Sequence, residues 1–275
     1  MNWDTFALWL RNSHITIGFV GLASYWIAVL AKKGSKPHIF AGRAFEWCGY
    51  YVATTALFSC ARYLSQARHF AFVNRPDESA QELARVEFAQ FLLTLLAFLA
   101  IVFLVQLRNG VRVVRTRKLG VEAYQNWEAK LWLIVQTLAS LWLVCFGAYR
   151  LATGGSAIHW ASVVVGAIPL TELKKELHFY RNPRELKMSW WYKHMDCMLG
   201  CGVAFHTAAL LFSFRWLEKN TGFALPGIWQ VVPWIIPTVV GVPLSQWWIA
   251  QNRAKFGDGK ATGTPPIAAT ASSVD

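Results

Sequence analysis

The chain has 275 residues, of which 55% are hydrophobic and only 15% charged, with fifteen Trp and a formal net charge of +12. Soluble globular chains carry about 25% charged residues, so this composition argues against a soluble domain. The basic residues are spread over short flanks between apolar runs, so the charge calls for no nucleic-acid partner. Cys48, Cys60, Cys145, Cys197 and Cys201 all fall within apolar runs, and no disulfide framework is expected.

In chain order, Asn2 to Asn12 with Trp3, Phe6 and Trp9 predicts a short amphipathic helix on the outer interface. No basic leader precedes it and no cleavage site follows, so a cleavable signal is not expected. A first membrane span covers 13–31, and Lys32, Lys33, Lys36 and Arg43 separate it from a second over 46–65. The loop over 67–87 mixes Arg68, Arg75 and Arg85 with Asp77, Glu78, Glu82 and Glu87, and Arg75-Pro76-Asp77-Glu78-Ser79 reads as a turn before an acidic helix start. A third span covers 88–107. The basic segment 108–128, with Arg108, Arg112, Arg115, Arg117 and Lys118, predicts a helix along the membrane surface.

A fourth and fifth span cover 130–150 and 156–172, followed by Lys174, Lys175, Arg181, Arg184, Lys187 and Lys193. A sixth covers 195–217. The seventh, 228–250, contains Pro233, Pro237 and Pro243, which predict a kink, and Arg253, Lys255 and Lys260 follow it. Residues 256–275 are rich in Thr, Ala and Pro and predict a disordered tail.

Crossing a bilayer takes about 20 helical residues, and no alternating barrel pattern is present. The fold class expected is all-α, a polytopic bundle of seven transmembrane helices in one domain over 1–255. The basic loops fall on alternate sides, so the positive-inside rule puts the N-terminus outside and the C-terminus in the cytoplasm. Such a chain is expected in a bacterial inner membrane, with its basic loops against anionic lipid.

Two segments echo each other. His14 opens an apolar run that ends in Lys32-Lys33 and then His38; 145 residues later, His159 opens a run that ends in Lys174-Lys175 and then His178. Cys48-Gly49, Thr54 and Arg62-x-Leu64 also align with Cys201-Gly202, Thr207 and Arg215-x-Leu217. The alignment suggests parallel repeats over 13–107 and 156–250, with span four as a linker.

The polar residues near the membrane fall into two layers. The outer layer holds His14 and His159, with His206 deeper, and these are candidate cofactor ligands. The inner layer holds His38, Arg43, Glu46, Glu172, Glu176, His178, His194 and Asp196. From it, His38, His178, His194, Glu172 and Asp196 form a candidate metal set, with Glu46 as a base and Arg43 as an anion holder. The plain alternatives are interfacial histidines that reach water and acids neutralised by their neighbouring bases.

Lys33-Gly34-x-x-x-His38-x-x-x-Gly42-Arg43, together with Trp191-x-x-His194-x-x-x-Met198 and Ala204-x-x-Thr207-Ala208, resembles the bacterial membrane proteins of domain-of-unknown-function family 2306. These motifs cover spans one, two and six. The resemblance implies a multi-span inner-membrane protein, draws attention to His14, His38, Arg43 and His194, and implies no activity. A retinal protein would need a lysine in span seven, where there is none, and a seven-span zinc hydrolase would need histidines after His206.

Three functions remain open. One is a membrane redox protein that holds haem b or a transition metal between facing helices and passes electrons to a quinone or a redox partner. Another is a metal-dependent enzyme built on the inner layer, and the third is a proton-coupled transporter. Pairing across the repeats would join His14 with His159, and His38 with His178 or His194.

Overall fold

A computed structural model describes residues 3–65, 79–119, 123–223 and 232–258. Among the described residues the regular structure is helical, in seven long elements: α1 (Trp3–Leu30), α2 (Lys36–Leu64), α3 (Ser79–Thr116), α4 (Trp127–Ala152), α5 (His159–Arg181), α6 (Ser189–Thr221) and α7 (Val232–Lys255). Four of them, α1, α3, α4 and α6, are long and apolar enough to cross a membrane. The outward faces of the helices are rich in exposed apolar side chains such as Phe19, Trp47, Leu138 and Val239, a surface compatible with lipid.

Two expected elements merge with their neighbours. The interfacial helix expected over Asn2–Asn12 is the first part of α1, which runs unbroken to Leu30. No proline or glycine interrupts the junction, and Ser13 and Thr16 turn their hydroxyls back onto the carbonyls of Leu10 and Asn12. Likewise, the surface helix expected over 108–128 does not form as a separate element; α3 carries on to Thr116. The Arg75–Asp77 turn and most of the tail lie outside the described residues.

The helix α3 is the hub. Half of its most apolar window is buried, against 17–29% in α1, α4 and α6. On one side α1, α2, α3 and α6 pack in a closed ring around Tyr25, Phe45, Phe103, Leu107, Cys201 and Phe205. Gly202 is what lets α1 and α6 meet, since a Cβ there would overlap the Tyr25 ring. On the other side α4 and α5 pack together against α3, around Phe91, Leu95, Phe98, Ala139 and Leu143. Burial of each such side chain is worth about 1.5–3 kcal/mol where water is the alternative; between lipid-facing helices, close packing does more of the work.

The helix α7 lies along α6 and stays helical through Pro237 and Pro243. Its end is tied down by Asp258. The carboxylate accepts from the amides of Lys187 (3.3 Å) and Met188 (3.0 Å) and from the Tyr192 hydroxyl (2.8 Å). Met188, at the start of α6, supplies no side-chain cap, so Asp258 caps that helix from 70 residues away. Desolvation raises the Asp258 pKa, but the Tyr192, Met188 and Lys187 donors outweigh it and hold the carboxyl below its ordinary value.

Candidate functional site at the His38 and His194 pair

The site forms where α1 ends and α2 and α6 begin. Gly34 takes a left-handed φ of 79°, and Ser35 caps α2 by accepting from the His38 amide, with Pro37 in the first turn. This reversal folds Lys33 and His38 back onto the carbonyl end of α1, whose last oxygens lack helical partners. The Lys33 ammonium donates to Ala28 O (3.0 Å) and Val29 O (2.5 Å). His38 Nδ1 donates to Ala28 O at 2.8 Å. A carbonyl can only accept, so Nδ1 carries a proton, and in the neutral ring the lone pair falls on Nε2.

His194, in the first turns of α6, repeats this chemistry. Its Nδ1 donates at 2.8 Å to the carbonyl of Gly110 on α3. Glycine is required at 110 because a Cβ there would overlap Met198 and lie 2.8 Å from the Cys197 Cβ. His38 and Lys33 are both close enough to His194 to act on it electrostatically. The Trp191 ring lies 6.3 Å from the His194 imidazole, and Lys33 sits 5.4 Å above Trp248. Burial holds the Lys33 ammonium below its ordinary pKa. The site therefore has two half-buried imidazoles anchored through Nδ1, one amine and a wall of indoles.

The other expected site residues take separate partners. Glu46 is buried and accepts both NH2 contacts of Arg115, at 2.8 and 2.9 Å, while Arg43 is exposed. Glu172 pairs with Lys175, His178 with Glu185, Glu176 with Lys193, and Asp196 accepts from Gln246. Among the described residues no three His, Cys, Asp or Glu side chains group to hold a metal ion. His14 donates from Nδ1 to the Thr55 hydroxyl at 2.8 Å, because the Thr55 hydrogen is committed to the carbonyls of Tyr51 and Val52. His206 donates to Gly202 O (2.7 Å) and accepts from the Trp26 indole (2.9 Å), so both its nitrogens are engaged.

His159 belongs to a different cluster. It is fully buried and packs edge-on against Phe91 and Phe146. Its Nε2 lies 3.0 Å from Glu87 Oε1, which also accepts from the Ser156 amide (2.7 Å) and from Arg150 (3.2 Å). Sequence reasoning missed this cluster, taking Glu87 for a loop acid and passing over Arg150. The available signal was an ionisable residue at or near the same-side end of each of three apolar runs, Glu87, Arg150 and His159.

Comparison with family models, curated proteins and solved structures finds no match to this chain. The site therefore has to be read from its own chemistry.

Proposed function

We propose that this chain is a seven-span integral membrane redox protein of a bacterial inner membrane, N-terminus outside, that holds its electron-carrying group at His38 and His194. The observation that carries the reading is that His38 on α2 and His194 on α6, near enough to act on each other electrostatically, each bind a backbone carbonyl through Nδ1. That hydrogen bond fixes the tautomer and orientation of a histidine whose Nε2 is to ligate. Without a third His, Cys, Asp or Glu grouped beside them among the described residues, the two imidazoles would suit a prosthetic group better than a bare ion. Haem of the b type would be held by His38 and His194 and would supply one-electron chemistry. The chain supplies orientation and a low-polarity wall from Trp191 and Trp248.

Seven spans are supported by length. The shortest helix, α5, has 23 residues, or about 35 Å at 1.5 Å per residue, against a hydrocarbon core of about 30 Å. In this topology the pair lies at the cytoplasmic end, beside exposed Lys32, Lys36 and Arg43, where anionic lipid would gather and a quinone or soluble donor would deliver electrons. Membership of family 2306 is part of the same proposal.

The test is an absorption spectrum of the purified protein with iron and haem quantified. A Soret band that is lost in both His38→Ala and His194→Ala, and kept in His14→Ala, is expected. Absence of haem and iron from the wild type, expressed with haem supplied, overturns the reading.

A further inference from the structure

We infer that Glu87 and His159 form a proton-transfer site at the opposite end of α3 from the histidine pair, releasing protons toward the face that Glu87 borders. The inference does not rest on the cofactor reading.

His159 is fully buried, yet only one of its ring nitrogens has a partner. Nε2 faces the Glu87 carboxylate, whose side chain is 20% exposed, while Nδ1 has none. Two hydroxyls in the same seam between α4 and α5, Ser162 Oγ and Ser140 Oγ, are also buried without a hydrogen-bond partner. Ser162 is three residues beyond His159 on α5, and Ser140 is deeper, its carbonyl 3.2 Å from where a Gly166 Cβ would sit. Buried polar groups are nearly always satisfied by protein or by ordered water. Three unsatisfied ones on the α4–α5 seam, near a partly exposed carboxylate, offer water a polar path to complete.

The charged groups against His159 among the described residues are Glu87 from α3 and Arg150 from α4. Glu87 accepts from three donors and is ionised, and Arg150 balances its charge. A carboxylate can only accept, so His159 Nε2 carries a proton, and Nδ1 is the nitrogen open to a second one. This arrangement has a direction. A proton arriving along the seam binds Nδ1, and the imidazolium is held by the Glu87 carboxylate. The Nε2 proton then passes to Glu87 Oε1, which gives it to the medium. One proton enters and one leaves, and the ring is left protonated on Nδ1, so it reorients before the next transfer. Arg150 beside the exit disfavours metal cations while leaving proton transfer along hydrogen bonds available.

The test uses the full-length protein in lipid vesicles with 15N-labelled histidine, read by solid-state NMR between pH 5 and 9. The His159 signal is the one lost in His159→Gln. It is expected to start as the Nε2–H form at high pH, to convert reversibly to imidazolium as the pH falls, and to exchange its N–H in D2O within minutes. Glu87→Gln should lower the proton affinity of His159 roughly tenfold or more, the equivalent of one pKa unit. A signal that stays in one neutral form across the range, with an N–H still unexchanged after a day, overturns the proposal, as does a titration unchanged by Glu87→Gln. If Glu87→Gln fails to fold, the wild-type titration decides alone.

Discussion

The two ends of α3 treat histidine in opposite ways. At Gly110 the helix offers His194 a backbone carbonyl, and α1 offers His38 the same. At Glu87 it offers His159 a carboxylate backed by an arginine. A carbonyl fixes which nitrogen carries the proton and adds no full charge, so in the neutral ring the other nitrogen keeps a ligating lone pair. A carboxylate stabilises the imidazolium and can itself take the proton, so the imidazole becomes a group that titrates or relays. The partner, more than the histidine, sets the chemistry.

The contrast is broken most forcefully at the charged end. Glu87→Ala leaves the fully buried His159 and the half-buried Arg150 without their acceptor and is expected to cost about 3 kcal/mol, the upper end for an unsatisfied buried donor, read as a lower unfolding temperature in detergent. Gly110→Ala inserts a methyl where Met198 and Cys197 already sit, and overpacking of that kind costs about 1–3 kcal/mol. It also pushes His194 away from its carbonyl, so both stability and any Soret band should fall.

His38→Ala is expected to cost about 1 kcal/mol or less, since Lys33 still serves Ala28 O, while any Soret band disappears. A His38→Ala loss as large as that of Glu87→Ala would mean the pair is structural.

The smallest effect is expected at the Asp258 clamp. Its folded pKa is depressed, so its contribution is complete above the ordinary carboxyl value of about 3.9 and is lost as pH falls through the lower folded value. Proteolysis of the chain end should therefore stay slow down to about pH 4 and rise only below it, and Asp258→Asn should weaken this protection at neutral pH.

Much of the fold was legible because its signal is local. The apolar runs mark α1, α3, α4 and α6 directly, whereas α2 begins ten residues before the expected span, at Lys36, where Ser35 caps it. Merging of the N-terminal helix into α1 was not legible, because Asn12 and Ser13 look like a boundary until their neighbours' hydroxyls are seen bonding along the helix.

The site was legible in part. His38 and His194 stood out as polar residues at the ends of spans, but the acceptors that define them are backbone atoms of Ala28 and Gly110, which have no sequence signature. The acids proposed beside them carry local partners instead, Glu172 on Lys175 and His178 on Glu185, the neutralisation that nearby bases always offer. Glu87 and Arg150 were hidden because 63 positions separate them and only the meeting of α3 and α4 makes them a pair.

The cap on α6 has a consequence for biosynthesis. The amides of Lys187 and Met188 get their acceptor only when residue 258 has left the ribosome and α7 has settled along α6. The start of α6, one helical turn before His194, is therefore sealed last. A chain halted before Asp258 would carry both histidines of the pair and still present His194 on a frayed helix.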